Sequence, residues 1–308
     1  MTKIKTNTNI KEKRKALRSI FKGSIVALIT PFRKNGSVDH GLVRELVEWH
    51  IASGTNAIVP CATTGESPTL SHDEHDEVIA TVVKAVNKRI PVLAGCGSNC
   101  TEESLRLIKH AESVGADGAL VITPYYNKPT QEGLKAHYES LAAATSLPIV
   151  IYNVPGRTGV NIKPATVAEL AKIPNVVGIK EASGDLDQVS EIMASCDLDV
   201  LSGEDSLNFP MMAMGAVGVI SVVANVVPDL VAKLTGAALK GDMEEGRRMH
   251  KLLYKLSRAL FSETNPCPVK AAMAMLGKCE NVLRLPLVPV RKETEALLES
   301  TLKELGKL

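Results

Sequence analysis

The 308-residue sequence predicts an α/β fold, a closed (β/α)8 TIM barrel with a C-terminal helical extension. Three observations carry that expectation. Eight short runs rich in β-branched residues recur at about the length of one βα unit. They are apolar almost throughout, as parallel strands covered on both faces must be. A weak internal repeat ends a helix on glycine just before a strand, in Ser53-Gly54-Thr55-Asn56-Ala57, Val114-Gly115-Ala116-Asp117-Gly118 and Met214-Gly215-Ala216-Val217-Gly218.

In chain order the runs are 24–32, 57–62, 91–95, 118–123, 148–154, 176–181, 199–203 and 218–223. Amphipathic helical stretches lie between them. Ser71-His72-Asp73-Glu74 and Thr101-Glu102-Glu103 each set a hydroxyl cap before acids in a first helical turn. Eight units of this kind favour a closed barrel over an open doubly wound sheet. After Asn225 the strand signal stops. From Pro228 the chain reads as helices, the last barrel helix among them, with breaks near Gly241, at Asn265-Pro266-Cys267-Pro268 and at 283–289. The resulting division is a basic tail (1–22), a catalytic barrel (23–240) and a helical extension (241–308).

Apolar residues make up 45% of the chain, enough for a large core, and the net charge of +2 gives no global basic field to attract nucleic acid. No run of about 18 apolar residues is present to span a membrane. The first 22 residues hold Lys3, Lys5, Lys11, Lys13, Arg14, Lys15, Arg18 and Lys22 against one acid, Glu12. This reads as a solvated tail, or as a targeting peptide to a compartment such as the plastid stroma; otherwise the expected location is the cytoplasm. Cys61, Cys96, Cys100, Cys196, Cys267 and Cys279 form no C-x-x-C pair and are expected to be free thiols.

Active sites in this architecture form at the C-terminal ends of the strands. Lys180 lies in the apolar run 176–181, where a charged ammonium is costly to bury. Glu181 is a poor partner for it, because adjacent strand residues face opposite ways. Burial favours the neutral form of an amine, which attacks a keto carbonyl. The alternatives are a buried ion pair or a lysine that reaches the rim. Three of the five tyrosines, Tyr125, Tyr126 and Tyr152, fall at two adjacent strand ends. Tyr152 would shuttle protons there, held by Thr63 or Thr64, unless these tyrosines are packing residues of the rim. Arg157, in a turn with Pro155, Gly156 and Gly159, suits bidentate carboxylate binding. The backbone amides of Thr63, Thr64 and Gly65 would cradle a second carboxylate. His72 and His75 lie three apart at a helix start but have no evident third ligand, so they read as surface or effector-site residues rather than a metal pair.

The set Gly23-Ser24-Ile25-Val26-Ala27, Thr63-Thr64-Gly65-Glu66-Ser67, Thr123-Pro124-Tyr125-Tyr126-Asn127, Tyr152-Asn153-Val154-Pro155-Gly156-Arg157-Thr158-Gly159 and Gly178-Ile179-Lys180-Glu181-Ala182 closely resembles the family of 4-hydroxy-tetrahydrodipicolinate synthases, lyases of lysine and diaminopimelate biosynthesis. The resemblance runs from about Gly23 to the C-terminus. It implies that Lys180 forms a Schiff base with pyruvate and that Tyr152, Thr63 and Tyr126 relay protons, Tyr126 reaching into a neighbouring subunit. It further implies that Thr64 holds the pyruvate carboxylate, that Arg157 binds aspartate semialdehyde, and that Gly203 and Ile220 line the pocket. No metal or organic cofactor is implied, since the imine is the electron sink.

The family is usually a homotetramer, a dimer of dimers, and some members are inhibited by L-lysine. The matching effector positions are Ser67, His72, His75, Asn99, Glu103 and Tyr125. Pro68 departs from the alanine common in inhibited relatives, and a proline offers no amide hydrogen there. The tail before Gly23 departs from the compact bacterial forms. Two other readings stand beside this one: a pyruvate-releasing lyase on a sugar acid, like N-acetylneuraminate lyase, and a non-enzymatic binding paralogue. The Pro-Gly-Arg-Thr-Gly turn favours the synthase over the first. Retention of Lys180, Tyr152 and Arg157 speaks against the second.

Overall fold

The computed structural model describes residues 20–308. The strands β1 (Gly23–Ala27), β2 (Ala57–Val59), β3 (Leu93–Gly95), β4 (Gly118–Ile122), β5 (Ile149–Asn153), β6 (Val176–Glu181), β7 (Asp199–Ser202) and β8 (Gly218–Ser221) are all parallel. Between them run α1 (His40–Ala52), α2 (His72–Val86), α3 (Thr101–Ser113), α4 (Gln131–Ala143), α5 (Pro155–Thr158), α6 (Pro164–Leu170), α7 (Leu186–Ser195) and α8 (Asn208–Met214). The strand order β2-β1-β8-β7-β6-β5-β4-β3 is closed by a parallel bridge between Ile58 and Val92 and by bonds from Ile58 N to Pro91 O (3.1 Å) and Gly95 N to Pro60 O (3.0 Å). After β8 come α9 (Pro228–Leu239), α10 (Met243–Ala259), α11 (Cys267–Met275) and α12 (Lys292–Glu304). α9 packs on β1 and completes the outer ring, and α10 and α11 both pack on α12 beyond it.

Strand alternation divides the core in two. Ile25, Ala27, Val59, Leu93, Leu120, Val150, Tyr152, Val177, Leu201 and Ile220 fill the barrel interior, while Val26, Ile58, Ala94, Val121, Ile151, Ile179 and Val219 face the helices. The three repeated helix-ending glycines take positive φ, at +85° for Gly54, +85° for Gly115 and +123° for Gly215. The α2 cap forms as the sequence suggests: Ser71 Oγ accepts from Glu74 N (3.2 Å) and Ser71 N donates to Glu74 Oε2 (2.9 Å). Thr101 does not cap α3. Cys100 occupies that position, and the Thr101 hydroxyl is instead 2.9 Å from His137 Nδ1 on α4.

Several strands are shorter than their apolar runs. β1 leaves the ladder after Ala27, where Ile29 N donates to Asn225 Oδ1 (3.0 Å), yet residues 28–32 remain buried. Their apolarity reflects burial under the helices, which a run of residues cannot distinguish from strand pairing. The expected basic tail falls largely on residues 1–19, outside the described residues. Phe21, also assigned to that tail, belongs to the core: it is 3% exposed and closes the bottom of the barrel. A Cβ on Gly118 would meet its ring at 2.7 Å, so the glycine makes room for it.

Candidate active site

β5 and β6 pair in register, Tyr152 opposite Lys180, and β7 sets Leu201 on the other side of the lysine. Paired residues share a face, and Tyr152 and Leu201 both belong to the interior cluster, so Lys180 points into the barrel. It is 4% exposed, with Nζ 4.0 Å from the centroid of the Tyr152 ring. Its immediate neighbour is an aromatic face, not a carboxylate. Glu181 faces outward, where it accepts from Asn153 Nδ2 (3.0 Å), Ser183 N (2.8 Å) and Gln188 Nε2 (3.2 Å), so the Lys180–Glu181 ion pair does not form. Gly203 follows β7, and a Cβ there would lie 2.8 Å from Lys180 Cε. Only glycine leaves the lysine its space. Ile220, on β8, is 2% exposed in the same interior cluster.

After β2 the chain turns through a 3-10 segment, Thr63–Gly65. Thr63 lines a cleft above the barrel, while Thr64 is buried and its Oγ1 accepts from Asn265 Nδ2 (3.0 Å). The expected amide cradle is not fully available. Gly65 N already donates to Ala62 O (2.9 Å), because the 3-10 turn consumes that donor. Arg157, on the short α5, is exposed at the cleft and donates from Nη2 to Asn265 O (3.1 Å). Tyr126 sits at φ +73° with 88% of its surface exposed, on the rim of the same cleft.

The cleft holds about 980 Å³ and continues from Tyr152, Thr63 and Arg157 past Tyr125 and Tyr126 to Ser67, Pro68, His72, His75 and Glu103. Thr63, Tyr126, Tyr152 and Arg157 thus share one space with the effector candidates Ser67, His72, His75, Glu103 and Tyr125, while Lys180, Thr64, Gly203, Ile220 and Asn99 do not line it. His72 Nε2 lies 2.8 Å from Glu103 Oε1, and Ser98 Oγ donates to Glu103 Oε2. The Ser98 hydroxyl first, then His72, holds the Glu103 carboxyl below its ordinary range, leaving an anion in the cleft wall. His75 is not the surface residue the helix-start pattern suggests. It is 4% exposed, and burial pulls its imidazole down to about 4, so it is neutral at pH 7. Asn99 is not among the residues lining the cleft, and its carbonyl accepts from Asn127 Nδ2 (2.9 Å). All six cysteines are free, and burial pushes the Cys61 and Cys96 thiols up, away from the reactive thiolate form.

For two parts of the site the sequence carries no sign of the role they play. Asn265 was legible only as a helix break. Glu66, in the Thr-Thr-Gly-Glu-Ser motif, forms a fully buried ion pair with Lys270 of α11. Arg284 N donates to Glu66 Oε2 (3.2 Å), and its guanidinium bonds Thr69 O (2.8 Å) and Glu74 Oε1 (2.5 Å). That guanidinium holds the Glu74 carboxyl down to about 2. The extension thereby clamps the turn that carries Thr63 and Thr64.

The Dihydrodipicolinate synthetase family model matches residues 20–305. The chain is 57% identical over 289 residues to the 4-hydroxy-tetrahydrodipicolinate synthase of Geotalea uraniireducens (strain Rf4), covering 93% of this chain and 99% of the relative. Among solved structures it is similar to the chloride-inhibited dihydrodipicolinate synthase of Acinetobacter baumannii complexed with pyruvate, at 44% identity and a TM-score of 0.92, over 93% of this chain and 99% of that one. It is also similar to the DHDPS of Cyanidioschyzon merolae with lysine bound, at 38% identity and a TM-score of 0.91, over 94% and 99% respectively.

Proposed function

The chain belongs to the dihydrodipicolinate synthetase family, and from that premise we propose that it is a lyase of the Schiff-base aldolase type, condensing pyruvate with L-aspartate 4-semialdehyde to 4-hydroxy-tetrahydrodipicolinate. The observation that carries this reading is Lys180 held inside the barrel against Tyr152, which lines a cleft that also bears Thr63 and Arg157.

Lys180 Nζ attacks the keto carbon of pyruvate, and loss of water gives the imine. The cationic imine draws electrons from the adjacent methyl, which loses a proton to form the enamine. The Tyr152 phenol, with Thr63 and a Tyr126 from a neighbouring subunit, moves these protons. Thr64 holds the pyruvate carboxylate, and Gly203 and Ile220 shape the space around the lysine. The enamine carbon adds to the aldehyde, whose carboxylate Arg157 binds. The amino group of the semialdehyde then displaces Lys180 as the ring closes. The protein acts in the cytoplasm as a homotetramer, a dimer of dimers. Among the described residues no helix is long and apolar enough to cross a membrane.

Pyruvate with aspartate semialdehyde is expected to be turned over, and N-acetylneuraminate is not; turnover of the sugar acid alone would sink this reading. Arg157→Ala is expected to raise the aldehyde KM at least about tenfold and the pyruvate KM by less than about twofold, since a charge-assisted clamp is lost on one substrate only. Equal changes in both would remove the arginine from that role.

We further propose that L-lysine is an effector, bound by Ser67, His72, His75, Asn99, Glu103 and Tyr125. The lysine-bound relative and the Glu103 carboxylate in the cleft wall support this. Glu103→Ala is expected to raise the lysine inhibition constant about tenfold, the cost of one ionic hydrogen bond. An unchanged constant would place the effector elsewhere.

A further inference from the structure

Asn265 lies between α10 and α11, is 5% exposed, and touches both halves of the site by different atoms. Its side-chain Nδ2 donates to Thr64 Oγ1 at 3.0 Å, across 201 residues of chain. Its main-chain carbonyl accepts from Arg157 Nη2 at 3.1 Å, across 108 residues. Its Oδ1 is buried with no hydrogen-bond partner among the described residues. An unsatisfied buried carbonyl costs stability, so the position is not explained by packing alone.

Resting on the functional reading above, we infer that Asn265 is a positioning residue that sets the direction of the Thr64 hydroxyl toward the pyruvate carboxylate. A hydroxyl has one hydrogen to donate and two lone pairs to accept with. The Asn265 amide occupies a lone pair of Thr64, so the threonine hydrogen is left to donate elsewhere. Thr64 is 2% exposed and makes no side-chain donation to the described residues. The carboxylate of pyruvate is the acceptor that satisfies it. Because Arg157 is held by the main chain of Asn265, a change of side chain cuts the link to Thr64 and spares the link to Arg157.

The test measures pyruvate half-saturation of borohydride trapping, the KM of each substrate, and thermal melting, in Asn265→Ala and Asn265→Asp. Asn265→Ala is expected to raise pyruvate half-saturation about tenfold, with the aldehyde KM within about twofold, as for loss of one orienting hydrogen bond. Asn265→Asp is expected to be worse than Asn265→Ala, because its oxygens accept the Thr64 hydrogen and turn it from the substrate. A merely structural role predicts the reverse order, since aspartate nearly matches asparagine in shape. Should Asn265→Asp fail to fold, Thr64→Val and its combination with Asn265→Ala decide. The double variant should bind pyruvate no worse than Thr64→Val alone. Pyruvate half-saturation within about twofold of wild type in Asn265→Ala, or additive effects in the double variant, would overturn the inference. No trapped adduct in the unsubstituted chain would fail the functional reading itself.

Discussion

Lys180→Ala is expected to abolish the borohydride-trapped pyruvyl adduct and to lower kcat/KM by at least about 10^4-fold, as removal of a covalent nucleophile does elsewhere. The expectation rests on position. The amine is buried, sits over the Tyr152 ring at 4.0 Å, and has its stem packed beside Gly203. Nothing there is an ion pair that folding would require. Thermal stability is therefore expected to hold or rise, since a buried amine kept for chemistry is a cost to the fold. Lys180→Arg should be as inactive as Lys180→Ala, because a guanidinium keeps the charge but not the nucleophile. Mass spectrometry of the trapped protein gives the decisive reading. A pyruvyl adduct persisting in Lys180→Ala would assign the chemistry to a different lysine.

The second large effect is on stability and concerns the other buried lysine. Lys270 is fully buried, ion-paired with Glu66, bonded to Val282 O (2.8 Å) and seated 3.9 Å from the Phe32 ring centroid. Burial draws the Lys270 ammonium below its ordinary range, and Glu66 opposes that shift. Lys270→Met keeps the volume and removes the charge. It leaves the Glu66 carboxylate buried with the Arg284 amide as a donor at 3.2 Å. An uncompensated buried charge of this kind costs about 3–5 kcal/mol. For a chain of this size the melting temperature should fall on the order of 10 °C. Adding Glu66→Gln should recover most of the loss, since the penalty lies in the orphaned charge and not in the missing bond. Glu66 holds a left-handed φ of +54° directly after the Thr63–Gly65 turn, so the single variant should also bind pyruvate more weakly. Unchanged denaturation of Lys270→Met would mean that the pair does not anchor the turn.

These two lysines differ in what sequence reasoning can reach. Lys180 interrupts an apolar strand run, so its burial and its cost show locally. Lys270 also interrupts an apolar run, in the helix Cys267–Met275, but nothing near it in the sequence names Glu66 as its partner. His75 is a similar case. Its place in the first turn of α2 suggests exposure, yet the turn faces the cleft floor and the ring is 4% exposed. Thr101 has the residue type for a cap, but Cys100 enters α3 one residue earlier and the hydroxyl goes to His137. In each case a helical residue's surroundings are set by the neighbour across it, which local pattern does not name.

By itself the sequence determined the barrel, because strand runs, helix caps and glycine endings act over a few residues and repeat eight times. It also placed Lys180, Tyr152, Thr63 and Arg157 at strand ends, which in a parallel barrel lie on one face. Only the tertiary structure decided where those strands stop and what holds their ends. Asn265 meets Thr64 from 201 residues away, and Lys270 of α11 meets Glu66. Such partners come together when the ring of strands closes and the extension folds back on the turn after β2. A contact made that way is fixed by shape and burial across the whole chain, and so leaves no periodic trace in the residues that make it.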